Sequence, residues 1–151
     1  NLSIYNLPFQ VLILLVFIQI IIGAFVSGLD AGKIYQTWPL MGSNYIPNDL
    51  FFEDLKNLIN FENHSLVQFY HRNLAYLISI YILVLTYVIL RSKTKEPVAP
   101  IFLVNFFLII QIFLGITTLV SNLNIYLASA HQITSVLLVL SSINMYYNYI
   151  K

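Results

Sequence analysis

Four long apolar segments alternate with polar links along this chain of 151 residues. Each segment has about 20 mostly apolar residues, which is the length that an α-helix needs to cross a hydrocarbon layer of roughly 30 Å. The pattern therefore predicts four membrane-spanning helices. Their predicted bounds are 8–29, 65–90, 98–121 and 125–148.

The links between the segments differ greatly in length. Residues 30–64 form a long polar connection rich in turn residues, and its aromatic residues indicate that it lies on the membrane surface. A short basic turn follows the second segment, and residues 122–124 form a very short link before the fourth. Short links favour an up-down-up-down arrangement. The predicted fold class is therefore an all-α integral membrane protein, a four-helix transmembrane bundle.

A short motif recurs in the first and third segments. Gln19 stands four residues before Gly23, and Gln111 stands four residues before Gly115, in similar apolar surroundings. The second and fourth segments each carry one histidine at matching depth. The chain is therefore predicted to consist of two tandem helical hairpins, the first of which carries the long loop.

The two histidines, His71 and His131, lie about six residues inside their segments, which is about 9 Å from the predicted outer end of the bundle. Gly23 and Gly115 lie at the same depth. In a square bundle the diagonal is roughly 12–14 Å, so two inward-pointing imidazoles leave a gap suited to one six-coordinate metal in a flat macrocycle. The glycines would leave room for the macrocycle edge. The pattern predicts a bis-histidine heme site.

Simpler interpretations exist for the same residues. A transmembrane histidine often only bonds across a helix interface, and glycine commonly permits close helix packing. Gln19 and Gln111 suit interhelical hydrogen bonds and also lie where they can steady an imidazole. Arg72 suits lipid headgroups and heme propionates equally. His64 is predicted to lie at the membrane surface. Zinc is disfavoured, because no third or fourth ligand accompanies the histidines at their depth.

Composition and charge narrow the kinds of site and partner that this chain can have. Hydrophobic residues make up 59% of the chain and charged residues 9%, while cysteine is absent and the net charge is only +1. Disulfides, thiolate metal sites and c-type heme attachment are excluded, and no nucleic-acid partner is indicated. The positive-inside rule, applied to Arg91, Lys93, Lys95 and Lys151, predicts that both termini face the cytoplasm or matrix and that residues 30–64 face outward.

Five stretches carry motifs that are more specific than hydrophobic periodicity. They are 23–32 (GAFVSGLDAG), 35–41 (YQTWPLM), 61–63 (FEN), 67–72 (VQFYHR) and 130–132 (AHQ). In this order they resemble the carboxyl-terminal half of the heme A synthase family, CtaA, over nearly the whole chain.

The resemblance implies half of an eight-helix enzyme, built from two pseudo-symmetric four-helix bundles in the bacterial cell membrane or the mitochondrial inner membrane. Such enzymes oxidise the C8 methyl group of heme O to the formyl group of heme A for cytochrome c oxidase. Their amino-terminal bundle is taken to hold the substrate, with a glutamate three residues before its first ligand histidine, and their carboxyl-terminal bundle holds heme b. Here Gln68 stands three residues before His71, and an amide cannot act as a carboxylate acid or base.

The expected function is therefore that of the heme b-binding half of heme A synthase, with His71 and His131 as iron ligands. At 151 residues we expect the chain to lack the amino-terminal bundle, either as a piece of a longer or split synthase or as a remnant. We therefore expect no catalytic residue and no heme A formation by this chain alone. Expected partners are membrane lipid, heme O through the missing half, and either a second copy or a split-chain partner. A free-standing b-type cytochrome and a cofactor-free scaffold subunit are the alternatives.

Overall fold

A computed structural model of the chain describes residues 6–50, 55–92 and 97–150. Within these residues four long helices, each apolar and long enough to cross a membrane, account for most of the chain. The helices are α1 (Leu7–Gly28), the short α2 (Leu55–Leu58), α3 (His64–Arg91), α4 (Ala99–Val120) and α5 (Ile125–Tyr149). The ends of the long helices lie within one residue of the predicted spans. The predicted all-α four-helix membrane bundle is confirmed.

In each hairpin the first helix has a proline in its first turn, and the second helix begins after an asparagine cap. Pro8 and Pro100 occupy the first turns of α1 and α4, where the missing N–H has no intrahelical partner to lose. The side chains of Asn63 and Asn124 accept hydrogen bonds from first-turn N–H groups of α3 and α5. Such caps stabilise a helix start by satisfying one of its free donors. The tandem repeat therefore extends to the local signals that begin each helix.

The four long helices form a closed square. α1 packs against α3 and α5, and α4 packs against α5 and α3. α3 and α5 therefore lie across the diagonal from each other and run in the same direction. Away from the long loop, all four helices contribute fully buried side chains to one core, among them Leu12, Ile82, Val104 and Met145. Because lipid is as apolar as these side chains, close packing rather than removal from water holds them together.

The long loop lies over one end of the bundle and contacts both hairpins. Gln36 donates from Nε2 to Oδ1 of Asn122 in the α4–α5 link, at 2.8 Å. Gly32 approaches the same link so closely that a Cβ there would lie 2.9 Å from the side chain of Leu123. On the first hairpin, the hydroxyl of Tyr45 donates to Asn73 of α3. The described part of the loop therefore covers the end of the bundle nearest the two histidines.

The basic residues behind the predicted orientation lie mostly outside the described part of the chain. Lys93, Lys95 and Lys151 belong to that undescribed part. Arg91 is exposed at the end of α3, with its guanidinium carbon 5.6 Å from the centroid of the Tyr87 ring. Which end of the bundle faces outward stays a prediction.

Asp49 attaches the loop to the first turn of α3. Its Oδ1 accepts a 2.8 Å hydrogen bond from the hydroxyl of Tyr35, and its Oδ2 accepts one from the hydroxyl of Ser65. Partial burial raises the pKa of Asp49, but the hydrogen bonds from Ser65, Tyr35 and a backbone N–H together outweigh this effect, so its pKa lies below the ordinary value of 3.8. The folded loop therefore favours the ionised carboxylate.

Acidification should loosen this attachment. Because the pKa of Asp49 is lowered by folding, its contribution to stability is complete above about pH 4 and is lost as the pH falls through the folded-state pKa. Hydrogen exchange of the loop, corrected for the intrinsic rates, should stay constant at neutral pH and accelerate below about pH 4. Asp49→Asn, which cannot ionise, should show no such step. A step of equal size in that variant would assign the effect to another group.

Candidate functional site

His71 and His131 face each other inside the bundle. Their ring centroids are 6.5 Å apart and their ring planes are inclined by 80°. One ring comes from α3 and the other from α5, about two turns after the start of each helix. The two diagonal helices therefore bring their imidazoles to one level, near the end of the bundle that the loop covers.

Each imidazole lies against the glycine of its own hairpin. A Cβ at Gly23 would lie 3.1 Å from Cε1 of His71, and a Cβ at Gly115 would lie 3.1 Å from Cε1 of His131. The protein neighbour of each glycine is the histidine ring, and the contact with a macrocycle edge stays a prediction. The glycines therefore give the imidazoles their room, and they do so equally in both hairpins.

Gln19 and Gln111 connect the helices of each hairpin one turn away from the glycines. The Nε2 of Gln19 donates to the backbone carbonyl of His71 at 2.9 Å, and the Nε2 of Gln111 donates to that of His131 at 2.9 Å. Their other contacts differ. Nε2 of Gln19 also lies 3.2 Å from Nδ1 and 3.4 Å from Nε2 of the His71 ring, whereas Nε2 of Gln111 donates to the hydroxyl of Thr134.

Arg72 points toward the long loop. Its Nη2 donates to the carbonyl of Tyr35 at 2.8 Å, and its Nη1 donates to the carbonyls of Thr37 and Leu40 at 2.8 and 3.3 Å. Gln68 of the same helix donates to the carbonyl of Tyr35 at 2.9 Å. The predicted contacts of Arg72 with a lipid headgroup or a heme propionate stay predictions. The guanidinium holds the loop against α3.

The sequence did not lead us to predict two kinds of group that contact the site residues, the hydroxyl of Thr134 and the carbonyls of the loop. Thr134 follows His131 by three residues, so helical spacing alone places both on one face. That signal was present in the sequence. The loop carbonyls that meet Arg72 left no comparable signal, because their position depends on how the loop folds back over α3.

The facing imidazoles fit two ligands of one metal ion. Metal–imidazole bonds are about 2.0–2.1 Å long, so two rings on opposite sides of a shared metal have centroids roughly 6–6.5 Å apart. The observed separation is 6.5 Å. Nδ1 of His131 is buried without a hydrogen-bond partner in the described residues.

The donor set fits heme iron better than zinc. Among residues 6–50, 55–92 and 97–150, no group of three or more His, Cys, Asp or Glu side chains could hold a metal ion. Zinc sites use three or four protein ligands, while heme iron needs only axial ligands from the protein. The remaining histidine, His64, is exposed at the first residue of α3.

Comparison with known proteins identifies relatives over most of the chain. The COX15-CtaA family, described as cytochrome oxidase assembly protein, matches residues 4–143. The chain is 42% identical to the heme A synthase of Pelagibacter ubique over 91% of this chain and 40% of that protein. It is 43% identical to the heme A synthase of Wolbachia pipientis wMel over 88% of this chain and 36% of that protein. No solved structure matches the chain.

A third relative gives the same relation. The heme A synthase of Rickettsia bellii is 39% identical over 92% of this chain and 41% of that protein. The chain thus spans about 40% of the length of these relatives and corresponds to their carboxyl-terminal portion. The resemblance seen in the sequence motifs is confirmed. The chain belongs to the COX15-CtaA family of cytochrome oxidase assembly proteins.

Proposed function

We propose that this bundle is the heme b-binding part of heme A synthase and that His71 and His131 are the axial ligands of the heme iron. The observation that carries the proposal is the facing pair of imidazoles, 6.5 Å apart on the diagonal helices α3 and α5. Membership in a family whose relatives are named heme A synthase supports heme as the group involved. When bound, a bis-histidine heme b supplies one-electron transfer.

The residues around the histidines hold them in place. Gly23 and Gly115 keep space for the rings, because a side chain at either position would press on an imidazole. Gln19 and Gln111 fix α3 and α5 in height and rotation by bonding to the carbonyls of the ligand residues. In the hydrocarbon layer there is no water to replace these bonds, so breaking one leaves its polar groups unpaired.

Arg72 and the loop close the outer side of the site. The loop is tied to α3 through Arg72 and to the α4–α5 link through Gln36. Such a cover limits the access of water, which is one means by which a protein tunes a bound metal. A guanidinium has five N–H donors, so Arg72 keeps donors for a heme propionate beside its bonds to the loop. We retain that contact as part of the proposal.

The reaction proposed for the complete protein is the conversion of heme O to heme A. Oxidation of a methyl group to a formyl group, with the oxygen taken from water, releases four electrons and four protons. A one-electron carrier near the substrate therefore has a direct use. We assign no catalytic residue to this chain, since Gln68 has an amide at the position where the amino-terminal bundle of the family is expected to have its glutamate. Heme O is proposed to bind the portion of the synthase that lies outside the match.

We also propose the orientation in the membrane. The loop and the heme site face the outer side of a bacterial cell membrane or a mitochondrial inner membrane, and both termini face the cytoplasm or matrix. The support is the basic turn after α3, together with the positive-inside rule. The heme would then lie near the outer surface of the membrane and under the loop.

The central test is a pyridine hemochrome assay on the purified chain with a reduced-minus-oxidised spectrum. We expect heme b at one per chain and a low-spin spectrum. His71→Ala and His131→Ala each remove one strong-field ligand, so they should give five-coordinate iron or loss of heme. His64→Ala, which changes an exposed histidine, is the control and should keep the spectrum.

Other outcomes of this test discriminate between functions. An unchanged low-spin spectrum in His131→Ala would show that another residue is the ligand. A protein without an α band would favour the cofactor-free scaffold. Heme b that accepts electrons from a quinol, in a protein without a role in heme A formation, would favour a free-standing b-type cytochrome.

Substitution of a glycine beside an imidazole should weaken heme binding. Gly23→Ala places a Cβ 3.1 Å from Cε1 of His71, and overpacking of this kind costs roughly 1–3 kcal/mol. Heme affinity should therefore fall about 5- to 150-fold, measured by transfer of heme to apomyoglobin. Gly28→Ala is the matched control on the same helix, because a Cβ there would meet nothing within 4 Å. Equal losses in both variants would contradict a specific role for Gly23.

Labelling of single cysteines should report the orientation, and the cysteine-free sequence makes the background clean. Ser43→Cys lies in the exposed loop, whereas Val98→Cys lies exposed at the opposite end of the bundle. In intact bacterial cells a membrane-impermeant maleimide should label only Ser43→Cys, and permeabilised cells should label both. Labelling of only Val98→Cys in intact cells would reverse the orientation.

A further inference from the structure

The two hairpins differ at one point in how they hold their histidines. The glycine contacts and the glutamine-to-carbonyl bonds have the same lengths in both. At the rings the repeat is broken. Nε2 of Gln19 lies 3.2 Å from Nδ1 and 3.4 Å from Nε2 of His71, whereas Nδ1 of His131 has no hydrogen-bond partner in the described residues. One imidazole is in contact with a side-chain amide, and the other is not.

A single sequence difference explains the broken repeat. Thr134 stands three residues after His131, and its hydroxyl accepts the hydrogen bond from Gln111. The residue three after His71 is Leu74, which packs against the apolar core and offers no acceptor. The amide of Gln111 therefore bonds to a hydroxyl, whereas the amide of Gln19 faces the imidazole.

This contact has chemical consequences when an imidazole binds a metal. A ring that donates one nitrogen to a metal carries a proton on the other, and the partner of that N–H sets the orientation and basicity of the ligand. The amide of Gln19 has a second polar atom, Oε1, which is buried without a partner in the described part of the chain. Rotation of the amide exchanges its donor and its acceptor. As oriented, Nε2 of Gln19 donates to an unprotonated ring nitrogen; to accept from a protonated one the amide must rotate and give up its bond to the carbonyl of His71.

We propose that Gln19 is a positioning residue for the imidazole of His71, whereas Gln111 positions only the helix of His131. The two axial ligands are then unequal, and residue 19 tunes the heme through one of them. Leu74 and Thr134 decide this difference. The inference rests on the proposed function, in which both histidines bind one heme iron.

The test compares equivalent substitutions in the two hairpins of the full chain, purified with its heme. The readout is the reduction potential, which depends on the basicity of the axial ligands. Gln19→Leu removes the acceptor for the N–H of His71, makes the ring less basic and should raise the potential. Gln19→Glu supplies a carboxylate acceptor, makes the ring more basic and should lower it. A purely structural role for Gln19 does not predict shifts of opposite sign.

Gln111 provides the matched control in the other hairpin. Both amides lie 2.9 Å from a histidine carbonyl, so Gln111→Glu measures the combined effect of a negative charge and of the lost bond to that carbonyl, which Gln19→Glu shares. Gln111→Leu measures the effect of losing the bond to the helix. Each shift at residue 19 should exceed the corresponding shift at residue 111.

The cause of the broken repeat can be tested directly. Leu74→Thr gives Gln19 the hydroxyl that Thr134 gives Gln111. It should therefore move the potential in the same direction as Gln19→Leu. Thr134→Leu frees the amide of Gln111, so Gln111→Glu should shift the potential more in that background than in the unsubstituted chain.

The outcomes separate this inference from the proposed function. Opposite shifts at residue 19 that exceed those at residue 111 support the inference, whereas shifts of one sign, or equal shifts in both hairpins, overturn it. Should Gln19→Leu fail to retain heme, the comparison of Gln19→Glu with Gln111→Glu decides alone. An unsubstituted protein without a low-spin heme spectrum would refute the proposed function itself.

Discussion

The meeting of two imidazoles inside the hydrocarbon layer is the constraint on which the rest of the site depends. No water is available there, so each polar group needs a partner in the protein or in a bound group. Gln19 and Gln111 bond to the carbonyls of the two histidines. Nδ1 of His131 is left without a partner in the described chain. Both histidines are thus held through their backbone carbonyls, whereas one ring nitrogen of His131 has no partner in the described chain.

The tandem repeat is what places the rings at one level. Each hairpin sends its second helix in the same direction, so α3 and α5 run parallel across the diagonal of the square. Equal contacts to Gly23 and Gly115 show that the two hairpins solve the same packing problem in the same way. A duplicated hairpin can therefore build one shared site, and a single change such as Thr134 for Leu74 makes its two halves unequal.

The long loop is where the two hairpins differ most. It contacts α3 through Arg72 and Asp49, and it reaches the second hairpin through Gln36. Arg72 directly follows His71 in the sequence, so the same helical turn carries a ring toward the bundle axis and a cation toward the loop. Changes in the loop can therefore reach the ligand helix without passing through the apolar core.

The sequence by itself determined the four spans, the repeat and the depth of His71 and His131. These follow from hydrophobic length, helix-start residues and the constant rise of a helix, all of which are local properties. The tertiary structure alone decided which protein atoms meet: a histidine ring beside Gly23, loop carbonyls beside Arg72, and different partners for Gln19 and Gln111. Such contacts depend on side-chain rotamers and on the path of a loop across distant residues, which periodicity does not encode.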